Sequence, residues 1–175
     1  RVRSSAASDV YKRQAQVLLA VVASMYAVYH GPEGLRGIAR RVHSRTATLA
    51  QGLEDAGYAL RHREFFDTLV VGAPGRAPQI VAAARAEGVL LRLIDADQVG
   101  ISCGETTTQD HLATVLRAFD VDAGLATEGR QALPEALLRR GPILSHPVFS
   151  QHRSETSMLR YLRELADSYT HLRAH

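Results

Sequence analysis

The 175-residue chain is almost without lysine. Lys12 is the one present, and the other strongly basic residues are all arginine. A guanidinium stays protonated and is a poor nucleophile, so arginine cannot replace a lysine amine in a covalent link to a carbonyl group. Residues 15–167 therefore cannot anchor a carbonyl cofactor covalently. A GC-rich genome explains the bias toward arginine, and the chemical consequence holds regardless. Cysteine is as scarce, with Cys103 alone. That excludes an intrachain disulfide framework and a cysteine-based zinc site. It fits a reducing compartment, and the bacterial cytoplasm is the expected location. No apolar run reaches the roughly 18 residues of a membrane span. The longest, Val17 to Val28, is interrupted by Ser24 and Tyr26. The first residues are polar, and no secretory signal is expected. A Gly-rich phosphate loop, a nucleophile elbow and a paired-carboxylate motif are also absent.

The net charge of +3 hints at nucleic acid, but its placement removes the hint. Residues 1–14 carry +3 and residues 168–175 carry +1, which leaves −1 for everything between. No basic stripe with interleaved aromatics lies there, so neither nucleic acid nor a membrane is expected as a partner. Both ends also read as foreign. Ser5 to Gln14 and Ser168 to His175 resemble translated sequencing-adapter sequence, and 1–14 and 168–175 are set apart as non-native tails.

Nearly half of the residues are hydrophobic, which suits a globular chain. Ala15 to Tyr29 is apolar nearly all round and predicts a buried helix. Gly31-Pro32 stops it and opens a second helix, which runs to about Ala56. Leu35, Ile38, Val42, Leu49 and Leu53 give that helix one buried stripe, and Gly57 caps its end. Strands are expected at Ala59 to Arg61, Thr68 to Gly72, Val89 to Ile94 and Val99 to Cys103, the last two as a hairpin. A helix over Pro78 to Glu87 turns Ile80, Val81 and Ala84 inward and ends at Gly88. Thr107 or Thr108 caps another, whose stripe is Leu112, Val115, Leu116 and Phe119. A short helix is expected from Pro134 to Arg139. Ser154 caps the last helix, whose apolar face is Met158, Leu159, Leu162 and Leu165. The order is that of an α+β fold: a mixed or antiparallel sheet with helices packed on one face, preceded by two helices.

The densest polar group is His146, His152 and Glu155, on a loop feeding a helix start. Such a loop can present imidazoles and free N–H groups to an anion. Equally, Ser154 and Glu155 can simply cap the helix while the histidines bond to backbone. A two-histidine metal site is the weaker reading, because no third ligand is evident. Tyr26, Tyr29 and His30 read as packing residues, Glu105 to Thr108 as a helix cap, and Cys103 as a small buried strand residue.

Three stretches carry a family resemblance. They are Ala15 to Ala20 with Met25-Tyr-Ala-Val-Tyr-His-Gly-Pro-Glu-Gly-Leu35, then Val99-Gly-Ile-Ser-Cys-Gly-Glu-Thr-Thr-Thr108, then His146-Pro-Val-Phe149 through His152 to Leu162. Together they resemble the glycine cleavage P-protein family over residues 15–167. Where the family has Leu-Asp, this chain has Cys103-Gly104. Where the family has a second acid, it has Ser157, which weakens a capping box. The resemblance implies the end of the N-terminal half of a fold-type-I pyridoxal-phosphate enzyme. Residues 15–57 then connect, 58–140 form the small α+β domain, and 141–167 lead to the missing second half. It further implies glycine as substrate, the lipoylated H-protein as partner, and pyridoxal phosphate held by a lysine outside this piece. The missing C-terminal half, or a second subunit, is the other implied partner. The alternatives are the small domain of another fold-type-I enzyme, such as an aminotransferase, and a stand-alone ferredoxin-like binding module.

Overall fold

The computed structural model describes residues 3–122 and 132–172, with side chains from residue 17 to residue 166 within those limits. The chain divides into two compact units. Unit 1 joins Arg1–Arg36 to Gly141–His175, and unit 2 is Gly37–Arg140.

Helix α1 (Arg3–Asp55) is one helical run broken at Gly31. Its stripe behaves as the spacing predicts, with Val42, Leu49 and Leu53 buried and Ile38 packed against them. Thr46 and His43 lie on the same buried side. Thr46 Oγ1 donates to Val42 O at 3.0 Å, so its hydroxyl enters the core already satisfied. The helix ends at Gly57, whose φ of 87° suits glycine. Tyr58 N donates to Leu53 O, and Gly57 N to Glu54 O, each at 2.9 Å. This double closure is a Schellman end.

Unit 2 holds strands β1 (Thr68–Gly72), β2 (Arg92–Leu93) and β3 (Gln98–Ser102), in the order β1-β3-β2. Both outer strands run antiparallel to β3, so β1 and β2 are parallel to each other across it. Helix α2 (Ala77–Ala86) makes the crossover between them, a split β-α-β unit. The register sets Leu69 against Ile101 and Val71 against Val99, all four buried. Those side chains meet Ile80 and Ala84 of α2, Leu112, Val115 and Leu116 of α3 (Gln109–Ala118), and Leu49 and Leu53 of α1 in one core. On the opposite sheet face Thr68 Oγ1 and Ser102 Oγ lie 3.0 Å apart across the strands. Among the described residues of unit 2, the helices pack on one face of the sheet, as the α+β pattern requires.

Three expectations are corrected in extent. Ala59 to Arg61 forms a single bridge, Leu60 to Val71, rather than a strand. Val89 to Ile94 shortens to Arg92–Leu93. The Val89 N–H closes α2 by donating to Ala84 O, and the Ile94 N–H closes the hairpin by donating to Gln98 O. The short helix at Pro134 to Arg139 is one 3-10 turn, Glu135–Leu137.

The fourth correction concerns the first part of α1. Val28 is buried, but Val17, Leu18, Leu19, Val21 and Val22 are exposed. An all-apolar helix is expected to be buried because water is a poor solvent for it, yet the described residues do not cover this one. The remaining elements are α4 (Val148–Gln151) and α5 (Glu155–Leu172). Ser154 Oγ caps α5 by accepting from Ser157 N at 3.2 Å.

Leu53 has 0% of its surface exposed, whereas Leu90 keeps 82%. Leu53→Ala should therefore cost unit 2 about 2–5 kcal/mol in urea unfolding. Leu90→Ala should stay within about 0.5 kcal/mol. Equal losses would show that the core is misassigned.

Candidate functional site at the Gly31 helix break

Two segments far apart in sequence meet in unit 1. Gly31 has φ 61° and ψ −175°, a backbone region essentially reserved for glycine. Pro32 restarts the helix with its φ already set and no N–H to lose. The loop from His146 to Arg153 packs onto the break. A Cβ added at Gly31 would stand 2.6 Å from Phe149 O and 2.7 Å from Arg153 Nη2. Arg153 Nη2 in turn donates to Phe149 O at 3.4 Å. Arg36 holds the start of the returning segment: its Nη1 pairs with Glu33 at 2.9 Å and its Nη2 donates to Gly141 O at 3.2 Å. Just before the break, the His30 ring packs against Tyr26 at 4.3 Å and edge-on to Tyr29 at 5.3 Å.

The three candidate residues lie on this loop and the helix after it. His146 is exposed, and its Nδ1 accepts from the N–H of Val148, the first residue of α4, at 3.3 Å. His152 is half-buried. Its ring stacks on Tyr161 at 4.3 Å and 11°, and its Nδ1 lies 3.2 Å from Ser157 Oγ. Glu155 is exposed in the first turn of α5, where a carboxylate suits the positive end of the helix. Among the described residues no hydrogen bond links these three to one another. Ser157 also donates to Gln151 O at 3.2 Å, so it ties the loop down instead of completing a box with the cap residue.

Two clefts among the described residues of unit 2 bear on the site. One, of about 200 Å³, is lined by Cys103, Thr107, His111, Leu49 and Leu112 among others. Burial pushes the Cys103 thiol up, opposed by a hydrogen bond with Thr46 and reinforced by the negative Asp67. A raised thiol is a poor nucleophile, which leaves Cys103 the packing residue that the sequence predicts. The other cleft, of about 540 Å³, passes Tyr58, Arg76 and Asp120. There Arg76 pairs with Asp120 and donates to Tyr58 Oη, and Tyr58 Oη donates to Phe119 O at 2.6 Å. Its charges are matched within the cleft. Thr108, not Thr107, caps α3, and His111 completes the capping box by accepting from Thr108 N. Thr107 Oγ1 instead accepts from Gly104 N at 2.8 Å.

Sequence spacing missed His43. It is buried, its Nδ1 donates to Phe66 O at 2.9 Å, and its ring stacks on Phe66 at 5.9 Å and 5°. A lone histidine on an apolar stripe carries no spacing signal that would separate it from a core contact. Among the described residues no group of three or more His, Cys, Asp or Glu is placed to hold a metal ion. No described helix is long and apolar enough to cross a membrane.

Comparison with known proteins gives a family. The family model described as "Glycine cleavage system P-protein" matches residues 2–119. A protein of Gluconobacter oxydans (strain 621H) named "Glycine dehydrogenase (decarboxylating)" is 50% identical over 159 residues, covering 87% of this chain and 17% of its own length. Two Bradyrhizobium proteins of the same name, from strains BTAi1 / ATCC BAA-1182 and ORS 278, are 51% and 52% identical over 156 residues. Each covers 87% of this chain and 16% of itself. The chain thus spans about one-sixth of the curated relatives it matches.

Gly31→Ala should cost more than the about 1–3 kcal/mol of its backbone strain, because the new Cβ also meets Phe149 O and Arg153. Gly57→Ala has a positive φ but open space around it, so it should show the strain alone. Urea unfolding of both variants compares them. A Gly31→Ala loss no larger than that of Gly57→Ala would mean the loop does not press on the break.

Proposed function

The chain belongs to the glycine cleavage system P-protein family, and from that membership we propose that it is a supporting piece of a glycine-decarboxylating enzyme. The observation that carries this reading is the family match over residues 2–119, joined to 50–52% identity with proteins named for that activity. The parent enzyme takes glycine, releases its carboxyl group as carbon dioxide, and passes the aminomethyl group to the lipoyl arm of the H-protein. Unit 2, with its antiparallel sheet covered on one face, suits the small domain of a fold-type-I enzyme.

The parent's cofactor in this proposal is pyridoxal phosphate. The side chains described here do not fit it as an anchor: from residue 17 to residue 166 there is no lysine amine. The charges of the larger cleft, Arg76 and Asp120, already answer each other. This piece therefore shapes and supports, and the anchoring lysine belongs to the C-terminal half of the parent, on the same chain or on a second subunit. The bacterial cytoplasm suits such an enzyme.

Residues 1–14 and 168–175 are proposed as non-native. Sequencing the source DNA across both ends decides it.

The segment bearing His146, His152 and Glu155 is proposed as the part that approaches the enzyme's other half. Of these three side chains, His146 and Glu155 are open to solvent.

With carboxyl-labelled glycine, pyridoxal phosphate and lipoylated H-protein, the 175-residue chain alone should release no labelled carbon dioxide. Borohydride should fix no cofactor to a Lys12→Ala variant. Turnover by the chain alone would sink the proposal. In the full-length Gluconobacter oxydans relative, alanine at the positions matching His146, His152 and Glu155 should lower decarboxylation or assembly at least several-fold. If both stay unchanged, that segment has no such role.

A further inference from the structure

The larger cleft of unit 2 has the size of a small-molecule site and a charge pair that local structure does not ask for. Its volume, about 540 Å³, falls within the roughly 300–1,000 Å³ of typical ligand pockets. Arg76 stands just before α2, where a cation meets the positive end of a helix dipole. Asp120 follows α3, where a carboxylate meets the negative end. Asp120 also has φ 59°, in the left-handed region that usually selects glycine. Both residues break a local rule, and such breaks gather at functional sites.

The guanidinium is held ready. Tyr58 Oη donates its hydrogen to Phe119 O and accepts from Arg76 Nη1 at 2.9 Å, which fixes one arm. Asp120 engages Nη2 alone. Among the described residues Arg76 Nε has no hydrogen-bond partner. A free carboxylate that takes Nη2 and Nε together makes the forked fit that Asp120 does not make. The pair is also open to water, with 45% of the Arg76 side chain and 78% of the Asp120 side chain exposed. An exposed pair of this kind shifts an equilibrium by no more than about fivefold. Beside it, the Tyr58 ring, Pro74 and Val121 supply apolar wall, while Gly57, Ala59 and Gly72 leave room.

We infer that this cleft binds a small organic carboxylate, its aromatic or aliphatic body against the apolar wall and its anion in place of Asp120 on Arg76. Asp120 is then an internal competitor: it neutralises Arg76 and gives way to the ligand. Because Asp120 is so exposed, water solvates its carboxylate when it leaves. Tyr58 keeps its hold on Nη1 throughout, so the exchange moves one exposed side chain and leaves the guanidinium where it is.

Benzoate is the probe, titrated into the isotope-labelled 175-residue chain and followed by the shifts of its amide signals. Binding should saturate and move the signals of residues 57–59, 73–76 and 119–121. Arg76→Gln should weaken it about tenfold or more. Ala59→Phe, which fills the cleft from an exposed position, should weaken it several-fold. Asp120→Asn should bind benzoate about two- to fivefold tighter, since the competitor is gone. Asp120→Gly removes the same charge and suits the positive φ, so it repeats the test if asparagine disturbs the turn. Benzamide keeps the ring and lacks the charge, and should bind about tenfold more weakly or worse. Unchanged or weaker benzoate binding in both Asp120 variants would overturn the inference. So would benzamide that binds as well as benzoate, or an Arg76→Gln chain that binds like its parent. Inorganic phosphate or glycine that binds as tightly as benzoate would show that the apolar wall selects nothing, and the proposed ligand class would fall.

Discussion

Burial of one face of α1 against one face of the sheet is the constraint from which unit 2 follows. Three short strands are too few to be stable in water without a covering layer. Leu49 and Leu53 provide that layer, and neither keeps any exposed surface. The pairing of Leu69 with Ile101 and of Val71 with Val99 then has one permitted register. A slip of one residue would turn Val70 and Gly100 toward the core and the four large side chains away from it. Helices α2 and α3 close the remaining sides with Ile80, Ala84, Leu112, Val115 and Leu116. The Schellman ends at Gly57 and Gly88 fix where the chain leaves the helices and enters the strand side.

What could be read from the sequence divides along physical lines. Helix starts and stops are local chemistry, and Gly31-Pro32, Gly57, Gly88, Thr108 and Ser154 all act where their residue types place them. The stripes of α1, α2 and α3 were legible for the same reason, since period alone orients a helix once it has one apolar face. Strand length was not legible. The N–H groups of Val89 and Ile94 were claimed by neighbouring turns, and that competition is invisible in a list of β-favouring residues. Exposure of Val17 to Val22 was misread because burial belongs to the partner as much as to the helix.

The candidate site was legible in its components and not in its joining. The histidine-rich loop and the Gly31-Pro32 break each stood out, but nothing in the spacing brings residues 149 and 153 onto residue 31. That contact is tertiary, and it rests on the small volume of a glycine. His43 escaped notice because its partner is a backbone carbonyl, which every residue carries. The missing lysine was the most decisive chemical fact, and it needed no structure at all. Family membership was the other finding that the contacts within the fold could not supply.

The chain's single sulfur nucleophile lies in the core of unit 2, with 7% of its surface exposed and its thiol held protonated by burial. It is therefore a built-in reporter of opening. A thiol reagent too large for the cleft beside Cys103 reaches it only when the region around β3 and the start of α3 parts, so labelling follows the rate and equilibrium of that opening, not the intrinsic speed of the sulfur. With no second thiol to confuse the signal, one mass shift records how often the core of unit 2 breathes.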